Sequence, residues 1–292
     1  MILLFGDSHT DIFSSIPTVV RFNRFQLQSE VITAQRLNDE NNIDLQSKLN
    51  SWLENNTSLS KTLVMSVGEI DIRAHFWRHI PRNYVDKNSI MSFVKNKAEE
   101  YCRTLINLAN KHNLERVVIW GPPAAGEKAA PYNSEYPFTG SSSTRNRLVH
   151  LWHKFIYEAI KDDSRFALAS AFYNYVDTTT YCTFENYPSH DGTHWRDICG
   201  STFWEKLVLP AINGNKLVLG VEYNTMVEHE FEIDESVSQG EQKYDSWVKS
   251  LYVNDPNFRK VNVNDSEYVW VSADHRPQLP SEYQELTLGN RQ

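Results

Sequence analysis

Three short segments carry residue types that complement one another chemically: FGDSHT at 5–10, GEID at 68–71 and DGTH at 191–194. The Ser8 hydroxyl is a weak nucleophile at its own pKa and needs a base to take its proton. His194 can be that base, and Asp191, on the same short loop, can accept the other ring N–H and hold the tautomer. That is the division of labour of a serine hydrolase. Each segment also has a plain structural reading. Gly-Asp-Ser is a common turn and cap sequence, GEID can end in a carboxylate that caps a helix, and DGTH can be a turn with a surface histidine.

The elements that would position these residues decide between the readings. Ile2–Phe5, Thr62–Val67, Arg116–Trp120 and Phe166–Ser170 are short apolar runs of the kind that form buried strands, and a weaker one covers 22–28. Between them lie helical stripes. Residues 44–56 are apolar at 45, 49, 52 and 53, and periodicity returns over 89–112. Another helix at 144–161 places Leu148, Leu151, Trp152, Phe155 and Ile156 on one side, and a last one runs 196–209, before Pro210. Strands alternating with helices predict an α/β fold: a three-layer α/β/α domain over 1–212 with a parallel sheet of about five strands. All three segments then follow strands at their carboxyl ends, where open parallel sheets bind ligands.

Residues 121–143 are rich in Pro, Gly and Ser without periodicity, and so long a loop is usually functional. It is expected to border the site. Beyond 212 the segments KLVLGVEY, HEFEIDES and EYVWVSAD lean towards β-structure. They predict a small β-rich extension over 213–292, without a catalytic motif.

Composition narrows the partners. The chain has 292 residues, a net charge of −8 and no block of lysine and arginine, which disfavours nucleic acid and anionic membranes. No apolar run approaches the ~20 residues of a membrane helix, and no secretory leader is recognisable. Cys102, Cys182 and Cys199 are too scattered for a disulfide framework or a zinc site, so a reducing, cytoplasmic setting is expected. HFWRH at 75–79 has metal-compatible spacing but no clear third ligand, and reads as an aromatic patch with polar tips. GPPAAGEKAA lacks the glycine spacing and the Ser/Thr of a phosphate loop. No metal or organic cofactor is expected.

At FGDSHT and DGTH the chain resembles the SGNH (GDSL-type) hydrolases over about residues 1–212. The resemblance implies Ser8 as nucleophile, with Asp191 and His194 completing a triad. The ordered segments FGDSHT, GEIDIR, GPP and YPFTG are similar to a branch of that family in bacterial and viral proteins. Two positions depart from the family pattern. Its second block supplies a glycine N–H to the oxyanion, yet no glycine lies between 25 and 40, so a backbone N–H near Thr33 or Ala34 would serve instead. Its third block is Gly-x-Asn-Asp, whereas here Gly68-Glu69-Ile70-Asp71 puts isoleucine where the asparagine donor belongs. Losing such a donor typically costs about 3–4 kcal/mol of transition-state stabilisation.

Arg73 is the nearest strong donor past that block, and Glu69 could hold it. The same pair could equally be a structural salt bridge. Trp77, Tyr132, Tyr136, Phe138 and Trp195 lie near the expected site and suggest a surface for stacking sugars. The sequence therefore predicts a serine esterase acting on a small-molecule or glycan ester, for example removing an acyl group from a carbohydrate. The alternative is a glycan-binding or assembly protein on the same fold with little or no turnover.

Overall fold

The computed structural model describes residues 1–22, 32–39, 43–76, 87–126, 142–177, 181–184, 187, 189 and 194–220. The strands are β1 (Ile2–Gly6), β2 (Val19–Arg21), β3 (Thr62–Ser66), β4 (Arg116–Trp120), β5 (Phe166–Ser170) and β6 (Leu217–Leu219). They form one sheet in the order β2-β1-β3-β4-β5-β6, and every pairing is parallel.

The middles of the long strands are apolar because both faces are covered. Leu3, Phe5, Leu63, Met65, Val117, Ile119, Phe166 and Leu168 face one core. Leu4, Val64, Val118, Trp120, Ala167 and Ala169 face the other, the two-residue alternation of a pleated strand. The first core is closed by helices α1 (Ala34–Asn38), α2 (Ile43–Asn56), α3 (Lys87–His112) and α4 (Ser142–Ile160). The second is closed by a 3-10 turn at Ser8–Phe13 and by a helical run in three pieces, Gly200–Phe203, Trp204–Val208 and Leu209–Ile212. These are the three layers of the α/β/α arrangement.

Three features lie outside the sequence-based expectation. A strand lies at Val19–Arg21, with the Phe22 N–H on the Leu4 carbonyl at 2.9 Å just after it; the strand expected over 22–28 lies, beyond Phe22, outside the described residues. Pro210 does not end the last helix. A π-helical turn at Trp204–Val208 precedes it, so Pro210 falls in the first turn of a new piece, where its missing N–H costs nothing. Leu217–Leu219 pairs with Leu168–Ser170 as a sixth strand, so the sheet continues past residue 212. The rest of the expected extension, 221–292, lies outside the described residues.

The strand order creates the place for a site. From β1 the chain adds β2 on one side, then crosses back to add β3 on the other. Such a reversal opens a crevice at the carboxyl ends of the two strands it separates. Here those ends are Gly6 and Ser66, which face each other in register. A side chain on Gly6 would place its Cβ 2.2 Å from the Ser66 carbonyl oxygen, so only glycine permits this approach.

Candidate active site

Ser8 is the second residue past β1. Asp7 turns the chain there: its N–H donates to the Ser66 carbonyl at 3.1 Å and its Oδ1 accepts the His9 N–H at 2.9 Å. The Thr10 hydroxyl also donates to the Asp7 carbonyl, at 2.8 Å. This Asp cap starts the 3-10 turn and leaves Ser8 half-buried at the crevice. As the first residue of the turn, Ser8 has an N–H with no acceptor inside the helix.

His194 approaches from the far end of the domain, and its Nε2 lies 2.7 Å from Ser8 Oγ. What holds it there is the next residue. Trp195 is buried in the second core among Tyr175, Tyr187 and Phe203, with ring centroids 5.0–5.1 Å away. Trp195 is thus an anchor for His194 and presents no face to a sugar. Asp191 lies outside the described residues, as do Trp77, Tyr132, Tyr136, Phe138 and the HFWRH histidine side chains.

His9 enters the site in a way its position beside Ser8 does not suggest. Its ring is buried, its Nδ1 lies 3.0 Å from Asp7 Oδ1, and it stacks on the His194 ring at 4.7 Å with 17° between the planes. Burial works against a charge on this imidazole. The Asp7 carboxylate and, more weakly, Glu69 outweigh that and push its pKa above the ordinary value, against a small opposing effect of Arg73.

The turn after β3 contributes the second wall. Gly68 has φ +122°, and a Cβ there would lie 2.8 Å from Trp152 Nε1, so both conformation and space require glycine. Glu69 is almost fully buried and accepts from Arg73 Nε at 2.6 Å. Burial alone would raise its carboxyl pKa; Arg73, with His9 and His194, outweighs burial and holds it below the usual range. Glu69 therefore sits within electrostatic reach of both histidines. Arg145, buried on α4, is lowered to about 10 by burial first and by Arg73 second, which places it beside the same pair.

Ala34 does not fill the role expected of it. Its N–H donates to Asp71 Oδ2 at 2.8 Å, and the Gln35 N–H donates to Asp71 Oδ1 at 3.0 Å. Asp71 thereby caps α1 from a distance, and the Ala34 N–H is committed to it. Asp71, the last residue of GEID, does cap a helix, but that helix precedes it in the chain.

One further residue organises the rim without a sequence signal. Asn146 on α4 is fully buried; its Oδ1 accepts the Ala125 N–H at 2.7 Å, and its Nδ2 donates to the Tyr181 carbonyl and Thr183 Oγ1, both at 2.9 Å. Thr183 Oγ1 and Tyr187 OH in turn donate to the carbonyls of Ala125 and Ala124, at 2.6 and 2.5 Å. The segment leading to His194 thus hangs from residues 124–125, just past β4. Among the described residues no group of three His, Cys, Asp or Glu is arranged to hold a metal ion, and no helix is long and apolar enough to cross a membrane.

No protein-family model and no curated protein matches the chain. Similar solved structures include a protein provisionally described as a platelet activating factor from Streptococcus pneumonia. It is 13% identical, with 70% of this chain and 80% of that one covered and a TM-score of 0.42. A provisional acylhydrolase from Bacteroides fragilis is 13% identical, with 73% and 86% covered and a TM-score of 0.39. A gut microbial diltiazem-metabolizing enzyme is 16% identical, with 57% and 36% covered and a TM-score of 0.30.

Proposed function

We propose that the protein is a serine ester hydrolase in which Ser8 is the nucleophile and His194 the general base. The observation that supports this reading is the 2.7 Å contact of Ser8 Oγ with His194 Nε2 at the point where the strand order reverses. In the proposed reaction Ser8 Oγ attacks the ester carbonyl as its proton passes to His194 Nε2. The tetrahedral intermediate collapses, the C–O bond to the alcohol breaks, and His194 returns the proton to the leaving oxygen. Water, activated by the same histidine, then releases the acid and restores Ser8. Asp191 is assigned to accept the remaining His194 N–H, and the Ser8 N–H to donate to the oxyanion, with Arg73 as the further donor. Removal of an acyl group from a carbohydrate is the narrower substrate proposal. The aromatic residues suggested for it, Trp195 excepted, lie outside the described part of the chain.

A second reading, a ligand-binding protein with little turnover, is favoured by one specific feature. Isoleucine at 70 has no donor, and the Ala34 N–H is occupied by Asp71, so the oxyanion site is short of the usual donors. A fluorophosphonate probe together with hydrolysis of p-nitrophenyl esters separates the two. The esterase reading requires labelling at Ser8 and loss of both labelling and hydrolysis in Ser8→Ala. Hydrolysis that survives Ser8→Ala in pure protein would overturn it.

A further inference from the structure

We propose that His9 is a positioning residue for His194: pinned to Asp7, its buried ring is the flat surface on which the His194 ring lies while His194 Nε2 meets Ser8. The inference rests on the reading of Ser8 and His194 as nucleophile and base, and adds a second histidine to that machinery.

The geometry of restraint supports it. A histidine on a loop can turn about two side-chain torsions, and hydrogen bonds at its ring nitrogens act on the edge of the ring. The stack at 4.7 Å and 17° fixes the plane as well. A stack can orient a neighbour only if it is itself immobile, and His9 is. Both its backbone N–H (2.9 Å) and its Nδ1 (3.0 Å) are held by Asp7 Oδ1. Its exposure is 3%. One oxygen therefore sets the Ser8 turn and the ring that faces His194.

The surroundings of His9 give the arrangement an electrical side. Asp7 faces it from its own segment, Glu69 and Arg73 from the turn after β3, and His194 lies across the stack. His9 Nε2, Asp7 Oδ2 and Glu69 Oε2 are buried with no hydrogen-bond partner among the described residues. The acidic neighbours favour a proton on His9.

His9→Gln keeps an amide N–H for Asp7 while removing ring and charge, and Asp7→Asn leaves the ring but weakens its anchor. For His9→Gln on p-nitrophenyl esters, kcat is expected to fall about 10- to 100-fold with KM changed less than about threefold. Asp7→Asn should show a smaller fall in kcat. Ring nitrogen NMR signals of His194 give a readout that needs no turnover: one defined ring state in the parent and averaged signals in His9→Gln. A folded His9→Gln protein with parental kcat and parental His194 signals would overturn the proposal. Should His9→Gln fail to fold, unchanged kcat and His194 signals in Asp7→Asn would overturn it equally. An inactive parent whose His194 signals still respond to His9→Gln would remove the esterase reading and uphold the positioning role.

Discussion

Asp71 reaches back to α1 and takes the Ala34 N–H at 2.8 Å, although 37 positions separate the two residues. The carboxylate is buried, and a second bond to Gln35 makes it the cap of a helix that precedes it in the chain. Asp71→Ala would leave two helix-start donors without an acceptor, at a cost of about 2–3 kcal/mol. Because the Ala34 N–H is not at the oxyanion, kcat per folded molecule should stay within about threefold of the parent. Denaturant midpoint and kcat on one preparation check both halves.

Arg73→Ala separates a transition-state contact from a structural ion pair. If its guanidinium meets the oxyanion, kcat falls about 10- to 1000-fold with little change in KM. The observed bond to Glu69 at 2.6 Å, between two side chains each about one-tenth exposed, makes a stability loss certain to accompany it, since Glu69 is left buried and unpaired. The expected result is both effects together. A lower melting temperature with unchanged kcat would leave Arg73 as the partner of Glu69 alone.

Asn146→Ala should be among the more damaging changes outside the reacting groups. Three hydrogen bonds converge on this fully buried amide, and its loss removes the acceptor of the Ala125 N–H and a donor to the Tyr181 carbonyl. The expected loss is about 2–4 kcal/mol of stability. Since the tethered segment leads to His194, fluorophosphonate labelling of Ser8 should slow as well. Labelling at the parental rate in folded Asn146→Ala would show that Trp195 suffices to hold His194.

His153 predicts a specific acid sensitivity. It is fully buried on α4, with neither ring nitrogen hydrogen-bonded among the described residues. Burial first, and nearby His150 second, lower its pKa from 6.5 to about 3. The unfolded chain therefore takes up this proton before the folded one does. The stability associated with neutral His153 is complete above about pH 6.5 and drains away as pH falls towards the depressed folded value. Between pH 6.5 and 4.5 the loss amounts to about 2–3 kcal/mol. In His153→Phe, whose ring can occupy the pocket beside Phe172, the melting temperature should depend less steeply on pH over that window. Equal slopes in parent and variant would refute the assignment.

Much of the frame was legible because its signals are local. β1, β3, β4 and β5 are unbroken apolar runs, and α2 carries its stripe at 45, 49 and 53, all of which are buried. Short elements were only partly legible. β2 has three residues, too few for a periodic pattern; β6 falls inside KLVLGVEY, which reads as β-leaning, but its place in the main sheet follows only from the β5 edge that accepts its backbone.

Residue type and order by themselves determined that Ser8 stands directly after a strand, and that a histidine able to serve as its base comes at the far end of the domain. They could not determine that the two meet. The 2.7 Å contact depends on Trp195 finding its place among aromatics from other segments, which is a property of the packed core. They also could not assign His9 or Asp71. Sequence spacing places His9 beside Ser8, but the Asp7-capped turn rotates its ring onto His194. Asp71 ends a recognisable segment, yet its role comes from α1, which packing brings to it. Hydrophobic periodicity is written in neighbouring residues, whereas hydrogen-bond partners and ring stacks join groups far apart in the chain. Those pairings exist only once the strands have taken the order β2-β1-β3 and the crevice has formed between them.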